Sequence, residues 1–181
     1  LIELLIVVAI IGIIAAILIP NLIDALQKAK QKRTMADMRN TGTSWMSWIT
    51  DQVSAAAAGA ANSWTATPYT DSLTRDELFS TLHPSTTFFY MNEVPELDGW
   101  KHPYWYAWSQ NVLSASVIAI ASQGRDGTTS QVIPSNATIG PFTPPNYVED
   151  IVWADGFFVR WPSGSATSSA RHRSPTGRRG P

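Results

Sequence analysis

The chain opens with LIELLIVVAIIGIIAAILIP at residues 1–20, and NLI at residues 21–23 extends this apolar run. No polar side chain occurs between Leu4 and Ile19, and the only charged residue before Asp24 is Glu3. A helix needs about 20 mostly apolar residues to cross the hydrocarbon core of a bilayer, and residues 4–23 have that length. A carboxylate at the edge of such a segment is costly unless a cation pairs with it, which makes Glu3 a candidate functional residue.

The residues after Pro20 predict a continuation of this helix, because residues 22–39 are rich in good helix formers. Apolar residues then recur at helical spacing, which predicts a stripe packed on the chain's own core. The stripe consists of Met35, Met38, Trp45, Trp48, Ile49, Val53 and Ala56. We expect one long helix that ends near residues 55–59. It is expected to be kinked or locally melted near Gly12 and Pro20, since proline lacks the backbone donor and clashes with the preceding turn.

The remaining residues predict a small antiparallel sheet, so the expected fold class is α+β with the long helix packed on the sheet. Tyr104, Tyr106 and Trp108 alternate with other residues and predict a strand with one aromatic face. Residues 117–121 predict a second strand. Residues 151–153 and 157–161 predict a hairpin with Asp155-Gly156 at its turn. A short helix is expected after the capping box that begins at residue 74, ending before residue 84.

Four regions follow from these patterns. Residues 1–23 are a hydrophobic transmembrane or filament-core helix, 24–58 its amphipathic continuation, 59–162 a β-rich head domain, and 163–181 a Ser/Arg/Pro-rich tail. The first half of the helix requires lipid or other copies of itself, because the head cannot cover it. The chain has no cysteine, so the head relies on a staple other than a disulfide, such as an ion or neighbouring subunits.

The charge distribution is uneven although the net charge is only −1, with 13 basic and 14 acidic residues. The tail holds four of the basic residues, which form a candidate anion-binding surface: Arg171, Arg173, Arg178 and Arg179. Residues 1–170 therefore carry nine basic against 14 acidic residues. This balance gives no global signal for nucleic acid, although binding through the tail stays open.

A second basic cluster follows the apolar run directly, at residues 28, 30, 32 and 33. It is interpreted either as a solvated helix face or as a contact for phosphates or lipid headgroups. For an ordinary single-span protein, the positive-inside rule would place this flank in the cytoplasm. The sequence predicts no enzyme: its three histidines lack metal-ligand spacing, and it has no cysteine nucleophile, Gly-x-Ser-x-Gly motif or phosphate-binding glycine loop.

The first 23 residues resemble the N-terminus of the type IV pilin superfamily, which includes type IV pilins and the pseudopilins of type II secretion. Mature members begin with an N-methylated phenylalanine and one more residue before this point, after a prepilin peptidase removes a basic leader. The chain is therefore expected to be a mature form that lacks its first residues. The resemblance implies that Glu3 neutralises the methylated N-terminal amine, often that of a neighbouring subunit. It also implies that the cluster after the apolar run lies outside the cytoplasm.

Three later segments resemble major pseudopilins: DGWKHPYWY at residues 98–106, SQGRDG at 122–127 and EDIVW at 149–153. In that family the last two segments hold a calcium ion. Carried over by position, Asp126 and Asp150 would be carboxylate ligands, with carbonyl oxygens of residues 121–124 completing the shell. Calcium prefers such oxygen ligands. The alternative is that both aspartates are turn and cap residues. The intervening loop, residues 128–148, is longer and richer in proline than the family's loops.

The expected function is that of a structural subunit of a helical filament, a homopolymer whose N-terminal helices bundle in its core. It implies insertion in the inner membrane before assembly, an assembly motor and platform proteins, and an extracellular filament afterwards. Glu3 would set the register, while Gly12 and Pro20 would let the helix loosen. Two alternatives stay open. One is a major pseudopilin of a periplasmic type II secretion pseudopilus, and the other is a filament-tip or membrane-anchored module that binds DNA or glycan.

Overall fold

The computed structural model describes residues 1–59, 70–108, 118–128 and 138–163. The described elements are α1 (Ile2–Ala57), β1 (Thr70–Leu73), α2 (Arg75–Leu82), β2 (Trp105–Trp108), β3 (Ile118–Ser122), β4 (Gly140–Phe142), β5 (Ile151–Ala154) and β6 (Phe157–Pro162). The architecture is therefore the predicted α+β fold, in which a long N-terminal helix packs on a small sheet.

The described strands form one sheet in the order β1-β2-β3-β5-β6-β4. All neighbouring pairs are antiparallel except β4 and β6, which pair in parallel, with Gly140 opposite Arg160. The mostly antiparallel sheet confirms the predicted class, whereas β1 and β4, which form its two edges, and the parallel pairing of β4 were not predicted. Both strands are short, and β4 holds a glycine and a proline, which are rare in strand interiors.

Helix α1 is unbroken from Ile2 to Ala57, so the local melting predicted as one alternative near Gly12 and Pro20 is absent, and the other alternative, a kink, stays a prediction. Proline removes one backbone donor, but the helix continues on both sides of Pro20. One residue beyond Ala16, whose carbonyl loses its donor at Pro20, the Asn21 side-chain amide donates to the Ile17 carbonyl at 3.1 Å. The end of the helix at Ala57 confirms the predicted end near residues 55–59.

The core lies between one face of α1 and the sheet. Met38, Trp45 and Ile49 of the predicted stripe are buried there, whereas Val53 is 46% exposed, and the side chain of Ala56 lies outside the described part of the chain. The aromatic face of β2 is confirmed, because Tyr106 is buried against this core and contacts Trp45 edge-on. The opposite face of the sheet buries a second cluster of small residues: Ala107, Ala119, Ala121, Val152 and Ala154.

The predicted turns and caps are confirmed. Asp155 and Gly156 connect β5 to β6 with φ angles of 47° and 99°, both in the left-handed region that an Asp-Gly hairpin turn requires. The Asp155 carboxylate also accepts a hydrogen bond from the Ile118 amide at 2.9 Å, which ties the turn to β3. At α2, Thr74 and Glu77 form both hydrogen bonds of a capping box, and the helix ends at Leu82.

Candidate functional site

The N-terminal part of α1 is an apolar rod with no contact to the sheet. Every residue from 2 to 23 is exposed except Ala15, which is half-buried. The large side chains are exposed on all sides of the helix, including Leu4 (72%), Ile13 (64%) and Ile23 (53%). The segment is long and apolar enough to cross a membrane. An all-round apolar helix of this length requires lipid or other apolar helices around it.

Glu3 lies in the first turn of this rod and is exposed. The nearest basic side chain along α1 is Lys28, which is 25 residues away, or about 37 Å at the rise of an α-helix. Within the described residues, therefore, no basic side chain of α1 reaches Glu3. Gly12 lies in open space, since a Cβ built there would meet no atom within 4 Å. The intrachain packing that the structure describes does not require glycine at this position.

The head is joined to α1 just beyond the rod by a turn whose centre is Asp98, a buried residue. One Asp98 carboxylate oxygen accepts hydrogen bonds from the backbone amides of Trp100 (2.8 Å) and His102 (2.9 Å). The other oxygen accepts the Ser122 hydroxyl proton at 2.6 Å. Asp98 thus connects two of the sequence segments that resemble pseudopilins. Sequence reasoning missed this role because Ser122, its partner, lies 24 residues away and is brought near only by the fold.

The same turn clamps onto the helix. The Gly99 amide donates to the Thr34 hydroxyl at 2.9 Å, and the Trp100 indole N–H donates to the Gln27 side-chain oxygen at 2.7 Å. A Cβ at Gly99 would lie 2.5 Å from the Lys30 carbonyl oxygen, so only glycine permits this approach. Thr34 is completely buried and Gln31 nearly so. These polar residues on the buried face of α1 were not predicted, because hydrophobic periodicity does not reveal them.

A second contact joins the loop before β5 to the end of the rod. The Tyr147 hydroxyl donates to the Asp24 carboxylate, which also pairs with Lys28 at 2.7 Å. The hydrogen bond from Lys28, followed by that from Tyr147, lowers the pKa of Asp24. Burial, followed by the bond to Asp24, raises the pKa of Tyr147 to about 12. Beside this contact lies a groove of about 630 Å³, whose lining includes Lys28, Lys32, Pro144 and Pro145.

The two loops predicted to hold calcium lie against each other. The Arg125 amide donates to the Tyr147 carbonyl at 2.8 Å. A Cβ at Gly124 would lie 2.7–3.0 Å from the carbonyl oxygens of residues 147–149. Asp126 is exposed, and its carboxylate accepts the Thr128 amide at 3.2 Å in a local turn. Asp150, in contrast, is 1% exposed.

This neighbourhood offers oxygen donors of the kind that calcium prefers, mainly backbone carbonyls. In the part of the chain that the structure describes, no group of three or more His, Cys, Asp or Glu side chains is placed to hold a metal. Carbonyl oxygens would therefore have to supply most of the shell. His102 is part of the same packing, since its Nδ1 donates to the Gly124 carbonyl at 2.9 Å. This contact agrees with a structural role for His102.

The second segment is also held by an ion pair that sequence reasoning missed. The Arg160 guanidinium on β6 lies 2.5 Å from the Glu149 carboxylate, and both side chains are largely shielded from solvent. The predicted anion-binding arginines of the tail, Arg171, Arg173, Arg178 and Arg179, lie outside the described residues.

Comparisons of this chain with protein-family models, curated proteins and solved structures return no match.

Proposed function

We propose that this chain is a structural subunit of a type IV pilus-like helical filament that polymerises through residues 4–23. The observation that carries the proposal is the all-round exposure of this apolar rod, together with its continuation as one helix into the packed core of the head. In the membrane, lipid covers the rod. In a filament, the rods of neighbouring subunits cover one another, and apolar burial stabilises the bundle by about 25 cal/mol per Å².

The rigid connection between rod and head favours a filament subunit over a simple anchor. An anchor needs only a span and a linker, whereas here α1 carries the head directly. The turn at Asp98 and the contact of Tyr147 with Asp24 fix the head within a few turns of the rod's end. A subunit of this kind transmits the packing of its rod to the position of its head, as a regular polymer requires.

Glu3 is the residue we propose to set the register between subunits. A carboxylate within an apolar bundle is tolerated only when a cation pairs with it. No basic side chain of α1 is within reach of Glu3 in its own chain, so the partner in the filament would be the N-terminal amine, including that of a neighbouring subunit. Gly12, where the described packing of the chain leaves open space, would allow close approach between rods.

The experiment compares filament yield for Glu3→Ala and for the matched control Glu93→Ala, which removes an exposed acid of the head. Sheared filaments are quantified by electron microscopy and immunoblotting, and the fold of the head by near-ultraviolet circular dichroism. Glu3→Ala should reduce filament yield strongly while the head stays folded, and Glu93→Ala should do neither. A normal yield for Glu3→Ala would contradict the register role.

Calcium is part of this proposal. Asp126 and Asp150, with carbonyl oxygens of the adjoining backbone, would hold the ion, and it would stabilise the loop of residues 128–148. Thermal unfolding in the presence of calcium and of a chelator tests this directly. An equal midpoint in both conditions would exclude calcium as a staple of the head.

The second candidate is a major pseudopilin of a periplasmic type II secretion pseudopilus. It is favoured by the contacts among the segments that resemble pseudopilins, since Asp98 bonds to Ser122 and residues 147–149 pack on Gly124. In both cases the partners would be an inner membrane, a prepilin peptidase, a motor and platform proteins. The two candidates differ in where the polymer is found, outside the cell or within the periplasm.

A further inference from the structure

Every lysine of the chain lies at the junction between the rod and the head. Three of them follow the rod on α1, at Lys28, Lys30 and Lys32, and the fourth, Lys101, belongs to the head. Gly99 is packed on the Lys30 backbone, and Lys101 follows two residues later, within about 8 Å of it. These four lysines and Arg33 are referred to below as the basic collar.

The collar surrounds the helix. At about 100° per residue, the buried face of α1 is the direction of Thr34 and Met38. Lys28 lies on one flank of that face with Lys32 next to it on the outer side, while Lys30 and Arg33 lie on the other flank, where Lys101 follows the turn packed on Lys30. A ring of cations around a helix axis matches a planar layer of anions that the helix crosses.

The height of the collar matches such a layer. Lys28 lies five residues beyond the end of the rod at Ile23 and Arg33 ten, which corresponds to about 8 Å and 15 Å along the axis. The polar headgroup region of a bilayer extends roughly 5–8 Å from the hydrocarbon core on each side. The flexible lysine stems can bend toward it, and the Debye length at physiological ionic strength adds about 8 Å.

The collar keeps a net positive charge. Lys28 pairs with Asp24 at 2.7 Å, and Arg33 lies 3.6 Å from Asp37. Lys30, Lys32 and Lys101 are exposed, and among the described residues they form no ion pair. Five cations against three acids at the junction, Asp24, Asp37 and the buried Asp98, leave a charge of +2, in a chain whose first 170 residues are acidic overall.

The backbone of Lys101 supplies an independent observation. Its φ angle is +71°, a left-handed conformation that glycine or asparagine adopts with little strain and lysine does not. The side chain is exposed, so packing does not explain a lysine here. Backbone strain of this kind is concentrated at positions whose side chains have a function.

We propose that the basic collar binds the phosphates of anionic phospholipids at the surface of the membrane that the rod crosses. The inference rests on the membrane-held state of the proposed function. It goes beyond that function in assigning a lipid class and a contact that fixes the head against the bilayer before assembly. Extraction of the subunit into a filament then has to break this contact.

The test uses the full chain inserted from outside into vesicles of phosphatidylcholine alone or with 30 mol % phosphatidylglycerol. A water-soluble amine-reactive ester labels the exposed lysines, and mass spectrometry gives the labelling rate of each. All four lysines of the chain, whose labelling is measured, lie in the collar. Lys30 and Lys101 should react about fivefold more slowly in the anionic vesicles, and 0.5 M NaCl should abolish the difference. Equal rates in the two vesicle types would overturn the proposal.

Variants separate the collar from a general charge effect. In the double variant Lys30→Gln/Lys101→Gln, the protection of Lys28 and Lys32 should fall. Arg39→Gln should retain it, because Arg39 is 16 residues beyond the rod, about 24 Å along the axis. Equal protection in both variants would refute a role for the collar.

Two further outcomes would also overturn the inference. If an alkaline wash removes the chain from both vesicle types, the membrane-held state itself fails, and the inference fails with it. If duplex DNA protects the collar in neutral vesicles while phosphatidylglycerol does not, the ligand is nucleic acid rather than lipid. Stable insertion with unchanged labelling would refute the lipid contact alone and leave the proposed function standing.

Discussion

Asp98→Ala is the substitution that most severely tests the junction between head and helix. The carboxylate is 3% exposed and accepts three hydrogen bonds, from the amides of Trp100 and His102 and from the Ser122 hydroxyl. Alanine leaves these three donors without their acceptor, and each shielded, unsatisfied donor costs about 1–3 kcal/mol. Allowing for water that reaches the less buried His102 amide, we expect a loss of about 3–5 kcal/mol in the free energy of unfolding.

Asp98→Asn provides a graded comparison. The asparagine oxygen can accept both amides, and the Ser122 hydroxyl can reverse and accept from the new amide. Only the charge assistance is lost, so we expect a cost of about 1 kcal/mol. Glu96→Ala is the matched control, because it removes an exposed acid two residues away and should change stability by less than about 0.5 kcal/mol.

The assay is thermal unfolding of the full chain in detergent micelles, followed by near-ultraviolet circular dichroism of the buried tryptophans. For a domain of this size, 1 kcal/mol shifts the midpoint by about 4–8 °C. Asp98→Ala should therefore lower the midpoint by about 12–40 °C, and Asp98→Asn by about 4–8 °C. A shift below about 5 °C for Asp98→Ala would refute the central place given to this carboxylate.

Three further predictions concern packing and pH. Gly42→Ala places a Cβ 2.4 Å from ring atoms of Trp153, so unfolding should become about 1–3 kcal/mol easier; an unchanged urea midpoint would contradict this. Hydrogen bonds with the backbone and side chain of Thr74 at the helix cap lower the pKa of Glu77 below its usual 4.5. The stability that this carboxylate contributes is therefore lost as the pH falls through the lowered pKa. Glu77→Gln should reduce the loss of folding stability at acid pH, and an unchanged dependence of stability on pH would argue against the cap. Tyr147, with a pKa of about 12, contributes stability below pH 10 that is lost toward pH 12. Tyr147→Phe should remove this alkaline loss. Tyrosine ionisation, followed by absorbance at 295 nm between about pH 10 and pH 12, should then show one fewer tyrosine with a raised pKa.

Much of the fold could be predicted because its signals are local. The apolar run, the helical spacing of Met38 to Ile49 and the Asp-Gly turn at Asp155 each depend on residues that are neighbours in sequence. The capping box at Thr74 is of the same kind. Their agreement with the structure reflects local preferences that coincide with the global fold.

The contacts that join head to helix could not be predicted in this way, because each depends on a partner far away in sequence. Gly42 is a poor helix former whose purpose becomes visible only when Trp153, 111 positions later, is placed against it. Thr34 looks like an exposed position until the turn at Gly99 covers it, and Gln31 likewise becomes buried only once the head is in place. The parallel β4 likewise has no local hydrophobic pattern.

The candidate site was predicted only in part, for the same reason. Residues 4–23 and Glu3 stand out in sequence because an acid at the edge of an apolar run is unusual. Four residues of the basic collar stand out in the same way, as a basic cluster after the apolar run, whereas Lys101 joins them only through the fold. The pairing of Asp126 with Asp150 around calcium stays a prediction, because it depends on a loop whose central residues lie outside the described part of the chain.

The most direct test of the central claim is to shear cells that express this chain natively and to analyse the released material by electron microscopy and mass spectrometry. Polymerisation through the apolar rod into a surface filament predicts long extracellular fibres in which this chain is the main protein. Absence of the chain from the sheared material, with all of it retained in the cell envelope, would contradict a surface filament.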